Sequence, residues 1–205
     1  QWQAKPHFLG HVLGRTAVRV APSLPWAALM LSLVRRYRRS TLEEEREHAL
    51  LRTRDAVIFG LATLAESRDQ ETGEHLDRIR AYVERIAEEL ARTVPELGQQ
   101  SIPALGFSAV LHDVGKVGVR DALLLKPGVL TPEERKEIER HALIGGDCLY
   151  AIKLRLGQDD FLDHACEIAY AHHERWDGGG YPFGLKGEQI PLAARIAAVA
   201  DVYDA

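Results

Sequence analysis

The stretch EHLDRIRAYVERIAEELART, residues 74–93, decides the fold class. Leu76, Ile79, Val83, Ile86, Ala87 and Leu90 recur at intervals of three and four, so they share one face of a helix. The same period governs its neighbours. Thr131-Pro132-Glu133-Glu134 predicts a helix start, with a capping hydroxyl, Pro at the first helical position and an acid at the third; that helix carries Ile138, His141 and Ala142. Residues 161–175 place Ala165, Ile168, Ala169 and His172 on one stripe, and residues 191–205 predict a last helix with Leu192, Ile196, Val199 and Tyr203 inward. Residues 41–66 read as a helix capped by Thr41, charged from Glu43 to Arg54 and apolar from Ala56 to Ala65, which suits a linker that enters a core. The apolar run 104–113 leads into His112-Asp113, and Trp176 to Gly187 is a Gly-rich loop. With no convincing strand pattern and no internal repeat, the fold class is all-α.

Composition narrows the function. The formal charge is -4, whereas a protein that grips nucleic acid by neutralising phosphates is usually basic, so no nucleic-acid partner is expected. A small anionic substrate remains compatible, because bound cations reverse the local sign. The two cysteines, Cys148 and Cys166, form no CxxC and read as small core residues of a reducing cytoplasm. Residues 1–40 read as a linker or the remnant of an upstream domain. Leu24 to Val34, followed by Arg35, Arg36, Arg38 and Arg39, also fits the end of a membrane helix. That run is short of the roughly 20 apolar residues a span needs, so a cytoplasmic location is expected over a tether upstream of residue 35. Both ends of the chain read as cuts.

Five of the nine histidines stand where a ligand would be useful. His112-Asp113 offers a nitrogen to one cation and a carboxylate able to bridge two; the plain alternative is a polar pair at a helix end. His172-His173 suits two ions side by side, or one ion and a substrate phosphate, since helical neighbours diverge by about 100°. Glu71 and His75, four apart, face one side of a helical turn, or are merely an exposed helix start. His141 and Asp201 sit among apolar residues, where they are either satisfied core polar groups or ligands. These eight N and O donors, without sulfur, suit Mn or Fe better than a structural zinc. Close cations on such a set activate a water and clamp the oxygens of a phosphoester displacement. Lys116 is then a candidate to neutralise phosphoryl charge, or a surface lysine.

His112-Asp113-Val114-Gly115-Lys116 resembles the HD motif of the metal-dependent HD phosphohydrolases. His172-His173-Glu174-Arg175-Trp176-Asp177-Gly178-Gly179-Gly180-Tyr181-Pro182 resembles the signature of their HD-GYP branch. Residues 58–78, 124–149 and 195–205 are also similar to it, so the resemblance covers residues 55–205. A lone HD pair would be weak; the combination is specific. The resemblance implies an HD-type helical bundle with a metal centre in its core, preceded by the linker helix. It implies hydrolysis of cyclic di-GMP to pGpG or GMP on two or three divalent ions. It implies His75, His112, Asp113, His141, His172, His173 and Asp201 as ligands, with Asp113 bridging and Glu71 marking a three-metal subtype. It implies Lys116 on the substrate phosphate. Gly180, Tyr181 and Pro182 would shape the substrate side or meet partner domains such as diguanylate cyclases, on a loop that three consecutive glycines make flexible and open to close approach. Family members continue beyond Asp201-Val202-Tyr203-Asp204-Ala205 with a phosphate-binding arginine, so part of the substrate cradle is expected to be missing here. An upstream sensory or receiver domain is expected before the linker helix. That helix either pairs in a homodimer or folds back on its own domain.

Overall fold

The computed structural model of the chain describes residues 24–205, apart from 70–72, 95, 96, 99 and 158. Seven α-helices lie among the described residues: α1 Leu24–Glu66, α2 Gly73–Leu90, α3 Ile102–Ala109, α4 Asp121–Leu124, α5 Pro132–Leu156, α6 Asp160–Ala171 and α7 Leu192–Asp204. No strand occurs among those residues. The chain divides into two compact units, one ending at Arg54 and the other Asp55–Ala205.

In the first unit the helix begins at Leu24 rather than at Thr41. Thr41 does not cap it. Its hydroxyl donates back to the carbonyls of Tyr37 and Arg38 (3.2 and 3.0 Å), a bond that lets a polar β-branched residue sit inside a helix. No helix of the described residues is long and apolar enough to cross a membrane.

The second unit is a bundle around α6. Helix α5 packs along α6, α3 lies against α2 and α6, and α7 crosses α2 and α6. The start of α5 follows its sequence signature: Thr131 Oγ1 accepts from Glu134 N, and the Glu134 carboxylate accepts from Thr131 N. The predicted face of α2 is buried through Leu76, Ile79, Val83 and Ala87. Leu76, Ile79 and Val83 each contribute roughly 1.5–3 kcal/mol by leaving water.

Two faces differ from the sequence reading. On α7 the inward stripe is Ala193, Ala194, Ile196, Ala197 and Ala200, while Val199 and Tyr203 are 59% and 76% exposed. Alanines let α7 approach α2 closely, and Tyr203 instead meets the edge of Tyr82 outside the core (ring centroids 5.1 Å apart). At the end of α1, Ala62, Ala65 and Glu66 are buried and Ile58 and Phe59 partly so, whereas Val57, Leu61 and Leu64 face solvent.

One backbone crossing positions the site. After α3 the chain turns through His112-Asp113 into a 3-10 turn, Val114–Gly118, which presses on α5. A Cβ on Gly115 would lie 1.9 Å from the His141 carbonyl oxygen, so only glycine permits the approach. Arg68 holds the turn from the other side, donating to the carbonyls of Lys116 and Val119 (2.8 Å each) and pairing with Asp121.

Candidate metal centre

The donor atoms gather in overlapping groups. Asp113, His141, His172 and His173 form one, and His75, His112 and Asp201 another. Glu66 joins His112 and Asp113 in a third. Asp113 stands between them. Its Oδ1 is 3.0 Å from His141 Nε2 and 3.4 Å from His172 Nε2, and its Oδ2 is 3.4 Å from His112 Nε2. Asp201 Oδ1 lies 3.8 Å from His112 Nε2 and 4.0 Å from His75 Nε2.

Local structure aims the rings. The Nδ1 atoms of His112, His141 and His172 lie 2.8–2.9 Å from the carbonyls of Ala109, Ile138 and Ile168. A carbonyl only accepts, so each Nδ1 is the protonated nitrogen and each Nε2 is turned into the centre. Those three Nε2 atoms and Asp113 Oδ1 are buried without a hydrogen-bond partner. Buried polar atoms that converge in this way without partners are costly unless a cation joins them. The residues therefore fit divalent ions.

The charges agree. Burial alone would raise the Asp113 carboxyl, but the surrounding His112, His141 and His172 hold it well below the usual carboxylate range. Burial opposes a charge on His112, yet Asp113, Asp201 and Glu66 outweigh it and raise its pKa to about 10. Burial lowers His172, and with the neighbouring rings it brings His173 down to about 2, so His173 stays neutral.

Most sequence candidates meet here. His172 and His173 contribute to one group, because α6 ends at Ala171 and His173 lies beyond it, the two rings 4.0 Å apart. Lys116 is only 7% exposed, with its ammonium 2.7 Å from Asp113 Oδ2. Tyr181 lies against the ring of His173 (centroids 4.7 Å apart). Glu71 lies outside the described residues.

The Gly-rich loop is bonded rather than loose. The buried Glu174 carboxylate accepts from Phe183 N and Leu185 N (2.7 and 2.9 Å), and Tyr181 N donates to His173 O. A Cβ on Gly180 would fall 2.4 Å from Arg175 N, so that glycine serves close approach rather than mobility. Pro182 follows Tyr181 on the same loop, half-buried.

Three participants escape the sequence reading. Glu66, 1% exposed, stands 3.7 Å from Lys116 Nζ; its signal was an acid continuing the buried Ala62-Ala65 stripe. Glu174 is the loop's anchor. Asp204 binds His75 Nδ1 (2.6 Å) and Arg78; its signal was an i,i+3 repeat, Asp201-Asp204 facing His75-Arg78.

The HD domain family matches residues 60–205. The chain is 49% identical over 171 residues to a probable cyclic di-GMP phosphodiesterase of Vibrio cholerae, covering 78% of this chain and 37% of that protein. It is 44% identical to a cyclic di-GMP phosphodiesterase of Thermotoga maritima over 149 residues, covering 73% and 38%. It is 40% identical to the 3'3'-cGAMP-specific phosphodiesterase 2 of Vibrio cholerae over 156 residues, covering 76% and 28%. The chain thus spans little more than a third of the length of the first two relatives and less of the third. With its paired HD and GYP motifs converging on one buried donor set, this chain belongs to the HD domain family, in the HD-GYP branch.

Proposed function

We propose that this chain is a metal-dependent phosphodiesterase that hydrolyses cyclic di-GMP to pGpG or GMP. One observation carries the reading: two donor groups meet at a single buried aspartate with a lysine ammonium beside it. The names of relatives at 44–49% identity support the substrate. In this reading Asp113, His141, His172 and His173 hold one ion, and His75, His112 and Asp201, sharing Asp113, hold a second. Glu71 supplies a third position. Fe and Mn are the ions the donor set favours. Such ions, when bound, activate a water and polarise the phosphoryl oxygens of an in-line displacement.

The chain's own residues do the rest. Asp113 fixes the spacing of the two positions. Lys116, held near Asp113 and Glu66, meets the negative charge that grows on the phosphoryl oxygens. Tyr181, with Gly180 and Pro182, walls the substrate side next to His173. The exposed Trp176 and Phe183 of the same loop, 62% and 56% exposed, are where a diguanylate cyclase would dock, while a sensory or receiver domain precedes the linker helix. Val57, Leu61 and Leu64 are the solvent-facing residues through which a paired linker would act.

The test is hydrolysis by protein purified without oxygen and loaded with Mn or Fe(II), with products separated by chromatography. Formation of pGpG or GMP, abolished by His112→Ala with Asp113→Ala, is expected. Full activity in metal-depleted protein would refute the reading. A second substrate, 3'3'-cGAMP, is favoured by the 40% identical relative. It displaces cyclic di-GMP if it is turned over faster under the same conditions.

A further inference from the structure

His75 is oriented differently from the other buried rings of the centre. His112, His141 and His172 turn their Nδ1 to carbonyls three or four residues back on their own segments. His75 turns its Nδ1 to the Asp204 carboxylate at 2.6 Å, across 129 residues of chain. Asp204 is itself gripped by Arg78, one turn along α2 from His75: Nε donates to Oδ1 at 2.6 Å and Nη2 to Oδ2 at 2.8 Å. The Asp204 side chain is only 4% exposed. Both carboxylate oxygens are thus committed, one to Arg78 alone and one shared between Arg78 and His75.

A carboxylate behind an imidazole does two things that a carbonyl does less well. It fixes the tautomer with Nε2 as the donor, and its full charge makes that nitrogen a stronger base. The arrangement spans α2 and α7, the two helices that bring His75 to Asp201. Arg78 sets where the carboxylate stands, by a bidentate grip that a single-point contact would not give.

We infer that Asp204, held by Arg78, is a positioning residue that fixes the His75 ring and raises the affinity of the His75–His112–Asp201 position for a divalent ion. The inference rests on the reading of His75 as a ligand and adds a residue that this reading does not contain. It concerns one of the two positions, because His141 and His172 of the other are tied to main chain.

The experiment is a chelator competition on the whole Mn-loaded chain, following the two most tightly held ions separately by metal analysis, with thermal unfolding of each metal-depleted protein alongside. Asp204→Asn is expected to weaken one ion by about 10- to 100-fold and to leave the other unchanged. Arg78→Gln, on a side chain 45% exposed, keeps Asp204 and tests the same point should Asp204→Asn fold poorly; it is expected to weaken the same ion by a smaller factor. His75→Ala is the reference and is expected to lose that ion. If His75→Ala loses an ion while Asp204→Asn and Arg78→Gln keep both affinities, the inference is overturned and the ligand reading stands. Equal weakening of both ions, together with a lower unfolding temperature, also overturns it, since a mere strut between α2 and α7 would act that way. If His75→Ala keeps both ions, the ligand reading itself fails and the inference with it.

Discussion

The two halves of the centre are built by different means. Around His141 and His172 the ring orientation is a local matter: each Nδ1 reaches a carbonyl of its own helix, so forming the helix aims the ring. Around His75 it is a tertiary matter, because α2 and α7 must pack before Asp204 can reach the ring. Each half has one partly exposed member, His173 in the first and Asp201 in the second. A locally aimed ligand set tolerates strain elsewhere in the bundle, whereas one aimed across helices reports on their packing.

The largest effect that separates chemistry from either half comes from Lys116. Lys116→Met is expected to lower kcat by about 10²- to 10³-fold, the scale of losing one charge-stabilising group, while both ions stay bound. Steady-state kinetics beside metal analysis checks this, and loss of an ion would show instead that the lysine maintains the centre.

A smaller effect divides the halves by proton release. With its pKa raised to about 10, His112 is protonated at pH 8 and must lose that proton to become a ligand. His173, held at about 2, and the depressed Asp113 carry none. Calorimetry in buffers of different ionisation enthalpy is expected to find more proton released at pH 8 on filling the His75–His112 half than on filling the other, the excess coming from His112. Affinity in the former half then falls as pH is lowered, by up to about tenfold per unit. Equal release by both would dissolve the distinction.

The smallest is in acid. Arg78, more than His75, holds the Asp204 carboxyl at about 2, against an opposing effect of burial. A depressed carboxyl adds stability that is fully present above its ordinary value near 3.8 and disappears as pH falls through about 2. The metal-depleted parent is expected to unfold at a higher temperature than Asp204→Asn at pH 5, with the gap closing towards pH 2. A constant gap would mean that the charge is not what matters.

The same division explains what the sequence could reveal. The α5 cap and the α2 face are legible because their signals lie within a few residues. The His and Asp residues that gather at the centre are legible because such side chains on apolar stripes stand out chemically. The α7 face misleads because a stripe of alanines carries little hydropathy contrast, and Val199 and Tyr203 offer a more conspicuous pattern that solvent in fact covers. Thr41 misleads because the same hydroxyl that caps a helix can also bond back inside one. Asp204 and Glu66 are hidden for the opposite reason: their partners lie far along the chain, and the local spacing that marks each as inward does not say what it meets.

The contact of Gly115 with the His141 carbonyl sets main chain against main chain. The span between Asp113 and His141 is therefore ruled by two peptide backbones, like a gauge cut in solid metal. Exchanging the side chains that surround it could change which ion is preferred and how fast it leaves, yet leave that span unaltered. Retuning the centre for a different metal is thus a problem of donor chemistry, with its dimensions already given.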